Sequence, residues 1–240
     1  MKKERLDKLV ASQGMLSRND VKIMSKKGEI TVNGAVIKDC SVKVSYEDDI
    51  KINGRPLRKS QYIYIMLNKP QGVVSASEDK RDKTVVDILP DELKRKNLFP
   101  AGRLDKDTTG FSLITDDGDF AHRILSPSKH VDKTYVAKVS EKVDFENARK
   151  AFKDGVVLGD GTVLLSADLQ LVEDGENPVF KVVIKEGKYH QVKRMFASLG
   201  TKVIELKRIA IGGLALDEKL KEGEARIISP EELAMIEKAK

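Results

Sequence analysis

Apolar positions recur at helical spacing near the start of the chain. Leu6, Leu9 and Val10 form a short stripe that stops at Gly14, a residue suited to the left-handed position beyond a helix end. Ser17 opens a second helix with the pattern SRND, in which an acid three residues on can satisfy exposed amides at the helix start. Val21 and Met24 supply its apolar side and Gly28 its stop. Two short β-prone runs in EITVNGAVI meet at Asn33-Gly34, a pair that tolerates positive φ and so predicts a hairpin. SVKVSYEDDIKI completes a helix, helix, hairpin unit near Ile52. Residues 53–60, NGRPLRKS, combine glycine, proline and three basic residues without apolar periodicity, and predict an interdomain linker.

A β-rich section follows. The apolar run in QYIYIMLNKPQGVVSA predicts a buried strand that ends in a turn at Lys69-Pro70 and Gly72. Phe111, Leu113 and Thr115, alternating with Ser112 and Ile114, predict another strand. Asp116-Asp117-Gly118 turns it into a short helix carrying Phe120, Ile124 and Leu125. KTYVAKV, VVLGDGTVLLSADLQLV and PVFKVVIKEG predict later strands, and Phe145, Ala148 and Phe152 share one face of a helix between Asp144 and Phe152. HQVKRMFASLG predicts a last helix, with Val192, Met195, Phe196 and Leu199 inside and Gly200 as its stop. Strands and helices interleave without a regular βαβ repeat. The fold class is therefore α+β: a small N-terminal domain with its linker over residues 1–60, and a larger domain over 61–240 with a mostly antiparallel sheet flanked by helices.

Composition narrows the function classes. The single Cys40 has no partner for an intramolecular disulfide and no companions at metal-ligand spacing, which fits a reducing, cytoplasmic setting. Glu4 and Asp7 interrupt any apolar signal region, and no apolar run is long enough to span a bilayer. No membrane partner is expected. The net charge is +6, and residues 1–60 carry all of it, with 14 Lys+Arg against 8 Asp+Glu. Within the neutral remainder, residues 181–208 hold eight basic residues against Glu186 and Glu205. Two separate basic stretches suggest two contacts with one polyanion. Arg18, Lys22 and Lys26 follow one another at spacing four, with Lys27 beside them, and no acid interrupts the row. A solvated helix face would look similar, but the missing acids favour phosphate contact.

Cofactor motifs are absent: there is no GxGxxG after a strand and no GxxxxGK[ST] loop, and His122, His130 and His190 are scattered, so neither cofactor nor metal is expected. Chemistry falls to ordinary side chains. GRLDKDTTG, residues 102–110, sets Asp105 between Arg103 and Lys106 in a glycine-bounded turn, where neighbouring cations favour an ionised carboxylate. An aspartate that only caps turn amides would fit as well. A glycosidase pair of Asp105 and Asp107 fits poorly, because both lie on one short segment. Tyr135 in KTY reads alone as a strand residue. In EGKYHQVKRMFASLG, Lys188, Lys193 and Arg194 gather near a helix start, where the dipole disfavours cations, which hints at a use for the charge.

RLDKLVASQGMLSRNDVKIMSKKGEITVNG resembles the S4 RNA-binding domain over roughly residues 4–52. That resemblance implies RNA contact through Arg5, Lys8, Arg18, Lys22, Lys26 and Lys27. GRLDKDTTG, LSPSKHVDKTY and EGKYHQVKRMFASLG, in this order and followed by ELKRIAIGGL, resemble the pseudouridine synthases of the RsuA branch, which act on small-subunit ribosomal RNA. The resemblance implies that Asp105 is the catalytic aspartate and that Tyr135 stacks on the target base and assists late proton removal. It implies that Lys193 pairs with the aspartate, with Arg194 as the neighbouring alternative, that Leu206 packs beside the pocket, and that Arg103 helps hold the base out of its helix. The implied reaction breaks the N1 glycosidic bond of a uridine, turns the trapped uracil and rejoins it through C5, without a cofactor. Attack at ribose C1′, addition to the base and a glycal route all remain open. The expected partner is ribosomal RNA, most directly 16S, met by a monomer; action on 23S rRNA and a non-catalytic S4-type ribosome-binding protein are the alternatives.

Overall fold

In the computed structural model, which describes residues 3–14, 16–57, 59–126 and 131–237, local signals shape the first unit. It comprises residues 1–63 together with 90–98. Strand β1 (Glu4–Arg5) leads into α1 (Leu6–Ser12), and Gly14 follows at φ +88°. Ser17 and Asp20 form a reciprocal capping box at the start of α2 (Arg18–Lys27), and Gly28, left-handed at φ 79°, ends it. Strands β2 (Ile30–Val32) and β3 (Ala35–Val36) pair antiparallel across Asn33-Gly34, both at positive φ. Strand β4 (Lys43–Val44) pairs with β1, and β5 (Ile50–Ile52) lies against β2. Leu6, Leu9, Val10, Val21, Ile30, Val44 and Ile50 form the buried core.

The expected linker is partly a hairpin. Arg55–Pro56 is a strand, β6, paired antiparallel with β5 across Asn53-Gly54, which repeat the positive φ values of Asn33-Gly34. The same two-residue signal acts twice, and the sparse apolar content of 53–60 hides it. Residues 90–98 join this unit through Arg95, whose guanidinium donates to the side chain of Gln13 and to the Ser60 carbonyl, 3.1 Å away. Arg58 lies outside the described residues.

The second unit, residues 64–89 and 99–240, is built on one large sheet. Its strands are β7 (Tyr64–Lys69), β8 (Phe99–Pro100), β9 (Thr109–Thr115), β10 (Lys133–Val139), β11 (Asp168–Glu173), β12 (Val179–Ile184), β13 (Val203–Ile211), β14 (Leu214–Ala215) and β15 (Ala225–Ile227). The main order is β11-β12-β10-β13-β9-β7-β15, with β8 on β9 and β14 on β13. All pairings are antiparallel except β13 with β9, where Lys207 and Arg208 sit opposite Thr109 and Gly110. The expected α+β class with a mostly antiparallel sheet is what the chain adopts. The helices are α3 (Gly118–Leu125), α4 (Phe145–Asp154), α5 (Gln191–Ala197) and α6 (Pro230–Glu237). Asp117 and Asp144 cap α3 and α4 by accepting the amides of Phe120 and Asn147. Strand β9 is buried along nearly its whole length, so its apparent alternation marks a central strand and not a half-exposed one. Of the run VVLGDGTVLLSADLQLV, only the end is a full strand; Val157 and Val163 make a single bridge around the glycine turn.

One core gathers Tyr135, Ala137, Phe152, Phe180, Phe196 and Leu206 between β10, β12, β13, α4 and α5. A second gathers Met66, Phe111, Leu113, Phe120 and Ile124 on the other part of the sheet. Where β9 first meets β13, Gly110 has φ +96°, and a Cβ there would stand 2.3 Å from the Arg208 carbonyl oxygen. We expect Gly110→Ala to lower stability by about 2–4 kcal/mol in urea unfolding, because it adds backbone strain and a contact with immovable backbone. Wild-type stability for this variant would mean that the two strands are free to separate here.

Candidate active site and nucleic-acid interface

Asp105 stands in the loop between β8 and β9, and that loop is fastened from below. Lys69, at the end of β7, is fully buried, and its Nζ donates to the carbonyls of Thr108 at 2.8 Å, Pro70 at 3.1 Å and Lys106 at 3.3 Å. The Gly72 amide donates to the Lys106 carbonyl at 2.8 Å. Ser75 clamps the residue before Asp105: its Oγ donates to the Leu104 carbonyl and accepts the Leu104 amide, both at 3.0 Å. The sequence pattern reveals Lys69 only as the start of a turn. A lysine closing a strand that begins as an apolar run, YIMLNK, is the signal that marks it, because a buried ammonium must find oxygen partners.

From the other side comes α5. His190 precedes it in the left-handed conformation, at φ 48° and ψ 34°, and the turn before it is braced by Gln191, which accepts the Lys188 amide at 2.9 Å and donates to Glu186 at 3.2 Å. Lys193, in the first turn of α5, reaches Asp105 at 3.1 Å and Asp107 at 2.6 Å. The hydrogen bond from Lys193 holds the Asp107 carboxyl below the usual range despite partial burial. Burial opposes the charge on Lys193, but its bonds to Asp107 and Asp105 outweigh it and raise its pKa. The cation beside Asp105 is thus Lys193 rather than its sequence neighbours: Lys106 turns away to Asp82 at 2.7 Å. His190 Nε2 lies 3.4 Å from Asp105 Oδ1.

Asp105, Arg103, Tyr135, Leu206, Lys188 and His190 line one small cleft of about 70 Å³. Tyr135 is buried on β10 opposite Arg208, next to a register shift in the β10–β13 pairing that begins between Thr134 and Tyr135. A bulge of that kind re-aims the side chain it carries. Arg103 is exposed at the rim and has no ion-pair partner among the described residues. Arg194 is not in the cleft. It points to Asp160 at 2.6 Å, beside Gly159, Ala197 and Ser198. Backbone and side-chain bonds from Thr162, and then Arg194, hold Asp160 down at about 2. One residue of helix separates Lys193 from Arg194 by about 100°, so the two cations necessarily face different ways. Residues 127–130 of the LSPSKHVDKTY segment, including His130, lie outside the described residues.

In the first unit, Arg5, Arg18, Lys22 and Lys26 line a second hollow, joined by Lys38, Asn19, Asp7, Asp39 and Cys40. Asp7 is buried and organises two of the cations: Arg5 Nε donates to it at 3.0 Å and Arg18 Nη2 at 2.8 Å. The Arg5 bond, against the opposing effect of burial and with help from Arg18, holds the Asp7 carboxyl below its ordinary range. Lys8 pairs with Glu4 at 3.2 Å, and neither Lys8 nor Lys27 lines the hollow. Lys38 and the organising Asp7 are additions that helical spacing could not supply, since Lys38 follows the hairpin and Asp7 belongs to α1.

The chain is similar to known proteins along nearly its whole length. The sequence pattern of RNA pseudouridylate synthase matches residues 63–198, and that of the S4 domain matches residues 4–50. The chain is 43% identical over 234 residues to an uncharacterized RNA pseudouridine synthase, YtzG, of Bacillus subtilis, covering 97% of this chain and 98% of that protein. It is also 43% identical to the ribosomal small subunit pseudouridine synthase A of Vibrio vulnificus, over 95% of this chain and 97% of that one. A crystal structure of a pseudouridylate synthase superposes with a TM-score of 0.67 at 39% identity, covering 97% and 99% of the two chains.

Burial pushes Lys69 down to about 8, and burial followed by the charge of Arg208 does the same to Lys133. Both values lie below the ordinary lysine value of 10.5, so between about 8 and 10.5 the unfolded chain keeps protons that the folded protein has released. Stability should therefore rise as pH is raised from about 8 toward 10, and these two groups leave it level below about 7. Tyr64, its hydroxyl pushed up by burial and by its bond to Asp117, opposes this only above its ordinary 10.0. Urea titrations across this range should show a rise on the order of 1–3 kcal/mol, with a visibly smaller slope for Lys69→Met. A slope unaffected by the substitution would mean that Lys69 ionises in the folded protein as it does in water.

Proposed function

The chain belongs to the RNA pseudouridylate synthases of the RsuA type with an N-terminal S4 domain, and from that premise we propose that it isomerises one uridine of small-subunit (16S) ribosomal RNA to pseudouridine, with Asp105 as the catalytic carboxylate. The observation that carries this reading is the convergence of Asp105 with Lys193 at 3.1 Å and with Tyr135, Arg103 and Leu206 around one cleft. The small ribosomal subunit also stands in the name of the Vibrio vulnificus relative. Residues 61–240 carry the chemistry in this reading and residues 1–60 the RNA docking.

Each part has a physical role. A reacting carboxylate in a half-closed cleft needs a cation to compensate its charge, and Lys193 provides it from a helix that is anchored in the core. Tyr135, fixed on a central strand, offers a ring face for the extruded base, and Leu206 closes the apolar side of the cleft. Unstacking the uridine costs a few kcal/mol, which stacking and the guanidinium of Arg103 offset. Isomerisation neither adds nor removes atoms, so the reaction consumes no co-substrate. Arg194, held on Asp160, acts away from the cleft and contributes to the positive surface around α5.

The protein with Asp105→Asn should bind small-subunit rRNA with near wild-type affinity yet release no tritium from uracil C5, a loss of at least about a thousandfold in rate. Retained turnover would sink the assignment of Asp105, and pseudouridine found only in 23S rRNA would redirect the substrate. In the first unit, Lys22→Ala and Lys26→Ala together should weaken rRNA binding and lower the slope of log affinity against log salt by roughly two. An unchanged salt slope would remove that hollow from the RNA path.

A further inference from the structure

Tyr189 is the most exposed large side chain with apolar surface among the described residues, at 76%. It is not a loose surface tyrosine. Its ring lies parallel to the His190 ring, with centroids 3.8 Å apart and planes 19° from each other, the geometry of one step in a nucleobase stack. His190 is held there by a backbone conformation that side-chain-bearing residues rarely adopt, at φ 48°, and such strain persists only where the surrounding structure enforces it. The bracing of Gln191 on Lys188 and Glu186 is that enforcement. The His190 Nε2 lies 3.4 Å from Asp105 Oδ1. His190 therefore touches both the Asp105 carboxylate, through Nε2, and the ring of the exposed Tyr189.

These contacts begin at the cleft and end in an open aromatic face. One face of the Tyr189 ring is covered by His190, and its exposure leaves the other to water. Burial does not account for a tyrosine at this position, because so little of it is buried. Arg103 and Lys188, both exposed, line the same cleft and supply positive charge for a backbone passing its mouth. A folded protein partner is a weaker fit: the face is a single ring bordered by cations, not an apolar patch.

We propose that the outer face of Tyr189 is a stacking subsite for the nucleobase next to the target uridine, so that the RNA strand continues over the Tyr189–His190 pair while the uridine enters the cleft. The inference rests on the RNA-modifying reading of the cleft and adds to it a second base-binding position. His190 serves as the rigid support between the two positions. Every base presents a π face, so the subsite favours stacking over reading of sequence, and purines, with the larger face, should occupy it best.

Equilibrium binding of transcribed 16S rRNA to the full-length protein tests this, with short-wavelength irradiation of the same complex and mass spectrometry of the cross-linked peptides. Tyr189→Ala and Tyr189→Leu should each weaken binding about tenfold, Tyr189→Phe should stay within about twofold of wild type, and the cross-linked wild-type peptide should contain Tyr189 joined to a nucleotide. Because the ring is exposed, all three variants should fold, which circular dichroism checks. Undiminished affinity of Tyr189→Ala, an equal loss in Tyr189→Phe, or a leucine as good as phenylalanine would each overturn the stack. The affinity measurement needs no turnover. A wild-type protein that makes no pseudouridine but still shows the Ala, Leu and Phe pattern would refute the catalytic reading and leave the subsite standing.

Discussion

A buried ammonium group governs the second unit. Lys69 has no access to water, and a cation in that position is tolerable only if oxygen atoms surround it. The carbonyls of Pro70, Lys106 and Thr108 provide them, and two of these belong to the loop that bears Asp105. The need to solvate one charge therefore fixes the path of a glycine-bounded turn that would otherwise be free to move. Ser75 adds a second fastening one residue before Asp105, and Gly110 lets β9 leave the loop directly against β13.

On that footing the rest of the cleft is a matter of convergence. Lys193 answers both Asp105 and Asp107, so the helix α5 and the loop are joined by one cation shared between two carboxylates. A lysine suits such sharing because it is a compact point charge with several donors, whereas a guanidinium would favour one carboxylate in a bidentate grip. The single parallel pairing in the sheet, β13 with β9, brings Leu206 and Arg208 alongside the loop, and Tyr135, beside a register shift on β10, lines the same cleft. In the first unit a comparable economy operates with opposite sign. There a buried carboxylate, Asp7, organises the cations Arg5 and Arg18 from two different elements.

Much of this architecture is legible in the residues themselves. Asn33-Gly34, the SRND box and Gly28 act through chemistry confined to a few neighbouring residues, and the elements they predict are present; that Asp117 and Asp144 cap their helices is seen only in the structure. The strand at KTYVAKV and the buried face of HQVKRMFASLG follow from periodicity alone. Asn53-Gly54 carries the same signal as Asn33-Gly34 but is hidden by the basic residues around it, so a hairpin reads as a linker. The motifs that resemble a family also point to Asp105, Tyr135, Lys193, Arg103 and Leu206, and those five line or face one cleft. Arg194 does not join them, because its neighbour Lys193 already occupies the helix face toward the loop and a one-residue step turns the next side chain away.

What the sequence by itself determined is therefore local and compositional: the SRND-capped helix, the Asn-Gly turns, the strand periodicities, the placement of all net positive charge in the first 60 residues, and the family of the chain. What only the tertiary structure decided is which charges meet. Ser75 lies 29 residues from the Leu104 it clamps, Lys69 lies 39 from Thr108, and Lys193 lies 86 from Asp107. Tyr189 stacks on His190, whose left-handed backbone stands beside Asp105, a pairing no pattern in the chain discloses. Hydrogen bonds and ion pairs act over about 3 Å, and a chain fixes such distances between remote residues only when the sheet and its cores are assembled.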